Sequence, residues 1–271
     1  MAFSHLQISQ GANNEKNTLD VLSLSLLASY SAYGEEFAEF KGRSLSHETQ
    51  QQIADNLMDW ATTHHVNAEK KMVPEEYSAI KNYGRVDHDV VNEYMRAGEP
   101  EGYLSEMFGR TLKSRVFHMR NVMNKLPNYK GTVYRGSSIK NSLLDKLNVG
   151  DILHEKAFLS TSTLPSVAKN FSSAGVYEGA SAAQFKIELK SAGRAINAYT
   201  FKPDEAEILA KPNTYFRVEA IERVSPNKNY IKMREVKNPA RYLKAEPDIH
   251  IYDSYSGEEV ALRSRSSLYC L

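Results

Sequence analysis

The strongest constraint on this chain is a change of hydrophobic period near residue 130. Before it, apolar residues recur at helical spacing, as in the stripes Leu19, Leu22, Leu26, Tyr30 and Ile53, Leu57, Trp60. Tyr103 to Leu126 reads as one amphipathic helix with Leu104, Met107, Phe108, Leu112, Val116, Met119 and Met123 on its buried side, and Pro127 ends it. After residue 130 the apolar runs shorten and gain β-branched and aromatic residues. Strands are expected over Thr132 to Tyr134, Ile152 to Ser160, Gln184 to Leu189, Ala195 to Tyr199, Glu207 to Ala210 and Phe216 to Val224. A helical half followed by a strand half predicts an α+β domain, with helices over 19–127 and a β-rich part over 130–226. No glycine-rich dinucleotide fingerprint is present, so a doubly wound nucleotide fold is not expected. Residues 1–18 are polar and read as a flexible N-terminus. The stretch 227–271 reads as a C-terminal extension of unassigned role. Its strand-like segments, Asn229 to Val236 and Ile249 to Tyr252, either join the main sheet or form a small addition.

Charge and cysteine content exclude several classes of function. Lys and Arg (34) nearly cancel Asp and Glu (33), leaving a formal charge of +1 and no long-range field for a phosphate backbone. Nucleic acid is therefore not an expected partner. The single cysteine, Cys270, allows no intrachain disulfide and no cysteine-rich zinc site, and cysteine poverty suits a reducing compartment. The histidines, His64 and His65 included, show no metal-ligand spacing, so no metal is expected. Val21 to Tyr33 is too short and too interrupted by serine to span a bilayer. Glu15 and Asp20 precede it and no clean cleavage site follows, which argues against a cleavable signal peptide.

Three short segments carry polar chemistry at predicted strand ends: Tyr134-Arg135-Gly136, Phe158 to Ser162, and Glu205-Ala206-Glu207. On an extended strand Glu205 and Glu207 would share a face, roughly 6.5–7 Å apart. They are either paired carboxylates or a solvated strand edge. Ser160 and Ser162 would share a face likewise, and a hydroxyl can orient a carboxylate without adding charge. The same serines also suit a strand entering a turn. Arg135 offers a planar donor set for phosphate, with Gly136 leaving room for a ligand, or it is a surface arginine before a turn.

Taken together and in this order, Arg135, Ser160-Thr161-Ser162 and Glu205-x-Glu207 resemble the arginine/serine/glutamate class of mono-ADP-ribosyltransferases, which includes bacterial toxins and effectors. Ile80 to Arg96 looks like that family's helix pair, with Tyr83 and Asn92 where cofactor-contacting residues occur. Leu126 to Gly136 looks like its approach to the arginine, and Phe171 falls where an aromatic packs nicotinamide. Pro212 to Val218 continues the expected turn and strand, so the resemblance covers about residues 75 to 225. Two departures stand out: His88 replaces a tyrosine frequent in toxin relatives, and the C-terminal tail has no family counterpart.

The resemblance implies an ADP-ribosyltransferase-like fold over 19–226, helices leading into a split mixed and antiparallel β-sandwich around an NAD cleft. It implies NAD⁺ as the substrate and a protein bearing an acceptor arginine as the partner, in a host cell. It also implies a soluble protein exported by a bacterium into the host cytosol. Breaking the ribose–nicotinamide bond leaves an oxocarbenium-like sugar, so a carboxylate belongs where that charge develops. Glu207 is assigned that role, held by Ser160. Arg135, Gly136, Ser160, Thr161, Ser162, Phe171, Tyr83 and Asn92 are assigned to the cofactor. Glu205 is assigned as base and orienter of the target arginine. The competing readings are an NAD⁺ glycohydrolase, against which the second glutamate counts, and an inactive interaction module, against which the full residue set counts. Tyr199 and Phe201 are expected either to meet the incoming protein or to fill the core.

Overall fold

A computed structural model describes residues 36–101, 111–173, 176–225, 228–239 and 250–259. The expected flexible terminus, the stripe at Leu19 to Tyr30, the turns carrying Leu104, Met107 and Phe108, and Cys270 all lie outside the described residues.

Helix α1 spans His47–Glu69. Ser46 starts it by accepting the Thr49 N–H at 3.1 Å, which satisfies one of the donors left open at a helix N-terminus. Its expected stripe is observed: Ile53 and Leu57 are buried and Trp60 packs at the rim of the core. Helix α2, Pro74–Asn82, runs through a π turn, Tyr83–Asp87, into α3, His88–Arg96. Helix α4, Leu112–Lys125, buries Leu112, Val116, Met119 and Met123, and ends as Leu126 turns extended ahead of Pro127.

Among the described residues eight strands follow: β1 Tyr129–Lys140, β2 Ile152–Glu155, β3 Leu159–Ser162, β4 Ala180–Ala195, β5 Glu207–Ala210, β6 Thr214–Ser225, β7 Lys228–Val236 and β8 Ile251–Asp253. Helix α5, Pro165–Ser173, lies between β3 and β4. The strand order is β1-β3-β5-β4-β7-β6-β2-β8, and β1 also pairs with β4. Pairings are antiparallel except β4–β7 and β2–β8, so the mixed α+β architecture is as expected. The expected strand over Ile152 to Ser160 is two strands, and that over Ala195 to Tyr199 is a 3₁₀ turn.

Strand β4 changes partner along its length within the one sheet. Ala183 to Glu188 pairs with β7, whereas Gly193 to Ala195 pairs with β5. Where the strand crosses over, Glu235 of β7 accepts the N–H groups of Lys190, Ser191 and Ala192 at 2.7, 2.9 and 3.1 Å. Burial works against ionising Glu235, but these bonds and that from the Ser191 hydroxyl hold its carboxyl below the usual range. Because β7 lies between β4 and β6, the sheet continues past the boundary expected at residue 226. Among the described residues the two larger buried clusters lie between α1 and the sheet and between the α2–α4 helices and the β3–β5 edge, and a small third one joins Phe37, Phe40, Tyr134, Ala168 and Tyr230. Among the described residues no helix is long and apolar enough to cross a membrane.

Candidate active site

The ring of strands β1, β3, β5 and β4 sets Arg135, Ser160 and Glu207 side by side. The register pairs Tyr134 with Ser162, Ser162 with Glu207, and Ser160 with Leu209. Arg135 Nη1 donates to the Ser160 carbonyl at 2.8 Å, its one hydrogen bond among the described residues, so most of its donors remain for an anionic ligand. Burial lowers the proton affinity of this guanidinium and neighbouring Arg96 lowers it further, while Glu155 acts in the opposite direction.

Glu207 opens β5, half-buried ahead of the fully buried Ile208, Leu209 and Ala210. Burial pushes its carboxyl up to about 7; a hydrogen bond from Ser160 and the charge of Arg135 oppose that rise, while Glu205 adds to it. Ser160 is in turn backed by Tyr83, which hydrogen-bonds to it and accepts Asn92 Nδ2 at 3.0 Å. Asn92 Oδ1 takes the Phe158 N–H at 3.2 Å at the entry to β3. Tyr83 is 1% exposed, so it stands behind Ser160 rather than on an open ligand surface. The π turn puts it there, one extra residue having rotated the α2–α3 helical run at Tyr83.

Glu205 and Glu207 do not share a strand face as expected. Glu205 closes a 3₁₀ turn, Pro203–Glu205, and Ala206 follows in the left-handed region at φ +47°. That turn breaks the two-residue alternation before β5 begins, yet leaves the carboxyls near enough to repel. Thr161 and Ser162 hold the turn in place. The Thr161 hydroxyl donates to the Ile208 carbonyl and that of Ser162 to the Glu205 carbonyl, both at 2.6 Å, and both residues are buried.

Gly136 answers to packing. A Cβ there would lie 1.7 Å from the Ala168 carbonyl and 2.5 Å from the Ser172 nitrogen, so α5 sits directly on β1. This contact presents Phe171, which is 52% exposed. Phe171 lines a cleft of about 380 Å³ together with His47 and Gln51 of α1, Asn170, Lys202, Asp204 and Glu205. Tyr199 and Phe201 differ in burial. Tyr199 is buried and donates to Glu69 Oε1 at 2.8 Å, beside His65, whose imidazole burial pulls down to about 4. Phe201 is 64% exposed, with the Arg85 guanidinium 4.2 Å from its ring centroid. Sequence reasoning missed Arg96, Lys202 and the α1 residues of the cleft. Arg96 closes the helical stretch that carries Tyr83 and Asn92, so its position was available; the α1 wall is a tertiary contact without a local signal.

A cation, a supported carboxylate and an exposed aromatic in adjoining positions fit a dinucleotide with anionic phosphates, a ribose and a flat cationic ring. The ADP-ribosyltransferase exoenzyme family model matches residues 57–238. ADP-ribosyltransferase Vis from Vibrio splendidus (strain 12B01) is 34% identical over 256 residues, covering 94% of this chain and 99% of Vis. Crystal structures of Vis with the M6 inhibitor and with agmatine superimpose with TM-scores of 0.74 and 0.72 at 34% identity, covering 84% and 83% of this chain and 100% of each Vis chain. NAD(+)–protein-arginine ADP-ribosyltransferase Tre1 from Serratia proteamaculans (strain 568) is 27% identical over 177 residues, covering 62% of this chain and 35% of Tre1. The chain belongs to the ADP-ribosyltransferase exoenzyme family and is an enzyme that takes ADP-ribose from NAD⁺.

Proposed function

We propose that this enzyme transfers ADP-ribose to an arginine side chain of a protein, with Glu207 as the catalytic carboxylate and Glu205 as the group that receives the acceptor. The observation that carries this reading is the placement of two carboxylates at different depths. Glu207 is fixed by Ser160 within the strand ring, whereas Glu205 lines the open cleft on a turn of its own. NAD⁺ supplies the ribose–nicotinamide bond, whose cleavage leaves positive charge on the ribose.

The chain's residues then divide the work. Arg135 binds the phosphates, held in aim by the Ser160 carbonyl. Ser160, backed by Tyr83 and Asn92, fixes Glu207 so that its charge faces the developing cation without reorganisation. Phe171 covers the nicotinamide ring. Gly136 lets α5 close onto β1, which sets the position of Phe171. Thr161 and Ser162 anchor the turn that carries Glu205. With Glu207 near pH 7 in the free enzyme, a bound cationic ring or guanidinium favours its ionised form. Glu205 orients the target guanidinium and takes its proton. Arginine as acceptor is further supported by the name of Tre1 and by the agmatine complex of Vis, agmatine being a small guanidinium compound. A host-cell protein as target and delivery by a bacterium are supported by similarity to Vis, a toxin from Vibrio splendidus.

The test uses labelled NAD⁺, a cell lysate, and wild-type and Glu207→Gln enzyme. Label on discrete proteins, released by hydroxylamine and absent with the variant, is expected. Nicotinamide release without labelled protein in lysates from several hosts would instead favour hydrolysis as the activity.

A further inference from the structure

We propose that Lys202 is a specificity-determining residue that stands in for the acceptor: its ammonium holds the Glu205 carboxylate until a guanidinium displaces it. This rests on the reading of Glu205 as the acceptor-orienting group.

Lys202 Nζ lies 2.9 Å from Glu205 Oε1 across the turn Pro203–Glu205. The pair is tethered through the turn's backbone, the Glu205 N–H donating to the Lys202 carbonyl at 3.0 Å. Both residues line the cleft that Phe171 also lines. The contact with Glu205 raises the proton affinity of Lys202, so the ammonium is charged at neutral pH. The carboxylate assigned to an incoming cation therefore already carries one.

Exposure shows how this cation can leave. The Lys202 side chain is 66% exposed and that of Glu205 27%, so the lysine can swing into water while the glutamate stays in the cleft wall. Exposed pairs of this kind contribute little, so displacement is easy but selective. An incoming ammonium would exchange one point charge for another and gain nothing at Oε1. An incoming guanidinium offers two parallel donors to both carboxylate oxygens, which the resident lysine does not engage. The tethered lysine thus sets a threshold that a fork-shaped donor crosses and a lysine acceptor does not.

The test measures agmatine affinity calorimetrically on the full chain, for wild type, Lys202→Gln, Lys202→Arg, Glu205→Gln and the Lys202→Gln/Glu205→Gln double variant. Thermal midpoints verify that each is folded. Lys202→Gln is expected to bind agmatine more tightly by about 1.4- to 5-fold, the loss of a surface pair expressed as affinity. Lys202→Arg is expected to bind it more weakly, because a resident guanidinium grips Glu205 with two donors. In the Glu205→Gln background, Lys202→Gln should change nothing, since the two act as one unit. Unchanged or weaker binding by Lys202→Gln overturns the gate. Equal tightening with and without Glu205 also overturns it, because general cleft charge would then be responsible. If Glu205→Gln alone binds agmatine as tightly as wild type, the reading of Glu205 fails and the gate with it.

Discussion

The hydroxyl of Ser162 donates to the backbone carbonyl of Glu205 at 2.6 Å, tying the strand that carries Ser160 to the turn that carries the second glutamate. The same oxygen accepts the Leu164 N–H at 2.9 Å, which fixes the start of the segment leading into α5. One small side chain thereby sets the spacing between strand, turn and helix around the cleft.

Glu207 should control bond cleavage itself. Because burial lifts its carboxyl to about 7, kcat/KM for NAD⁺ hydrolysis by the wild type should rise with pH and level off above about pH 7. Glu207→Gln should lower both hydrolysis and transfer by at least about 10²-fold and abolish this pH dependence. Steady-state rates from pH 5 to 9 check it; a variant that keeps the wild-type profile would place the titrating group elsewhere.

The same residue should weaken the fold when ionised. Its folded carboxyl titrates near 7 and its unfolded one near 4.5, so the neutral form is favoured on folding. The resulting stability is complete below about pH 4.5 and is lost as pH rises through 7. Glu207→Gln should therefore match wild type at pH 4 and be more stable at pH 8 by about 1–3 kcal/mol. Urea unfolding at the two pH values decides this, and a less stable variant at pH 8 would contradict it.

Glu205 should separate transfer from hydrolysis. It lies outside the strand ring and touches Lys202 rather than Ser160, so Glu205→Gln should retain much of the nicotinamide release while losing arginine modification. Parallel assays of free nicotinamide and of ADP-ribosylated agmatine measure the two activities. Equal loss of both would mean that the carboxylates act together on the sugar.

Gly136 should be intolerant of a methyl group. The obstructing atoms at 1.7 and 2.5 Å are backbone of α5 and cannot rotate away. Gly136→Ala should cost about 1–3 kcal/mol or more and lower Tm by several degrees, about 2–4 °C for each kcal/mol. Displacing α5 moves Phe171, so NAD⁺ affinity should fall as well. A thermal midpoint equal to wild type would show that α5 is not seated as described.

The amphipathic stripe of Ile53, Leu57 and Trp60, the buried face of α4 and the alternating strands after residue 130 are local patterns, so the α+β class was legible in the sequence. So were Arg135, Ser160 and Glu207, because their residue types and order carry the family resemblance. What stayed illegible depends on chain segments far apart in sequence. Pairing Glu205 with Glu207 on one strand face followed from assuming extended backbone, but the left-handed Ala206 interrupts it. That conformation is held from outside by Thr163 and Ser162, which bond to Ala206 and Glu205 across from β3. Tyr83 and Asn92 looked like ligand contacts; a π turn sends Tyr83 inward to support Ser160. At Gly136 the missing side chain makes room for α5, a packing demand that residue type alone does not announce. For the strand at Lys228–Val236 the sequence allows either the main sheet or a small addition; it lies within the sheet, and its Glu235 holds β4 where that strand crosses between partners. The sequence by itself determined which elements form and which side chains bear chemistry, since period and residue type are local properties. Tertiary structure decided which of those side chains face the cleft and which hold it in shape, because burial and hydrogen-bond partners come from distant parts of the chain.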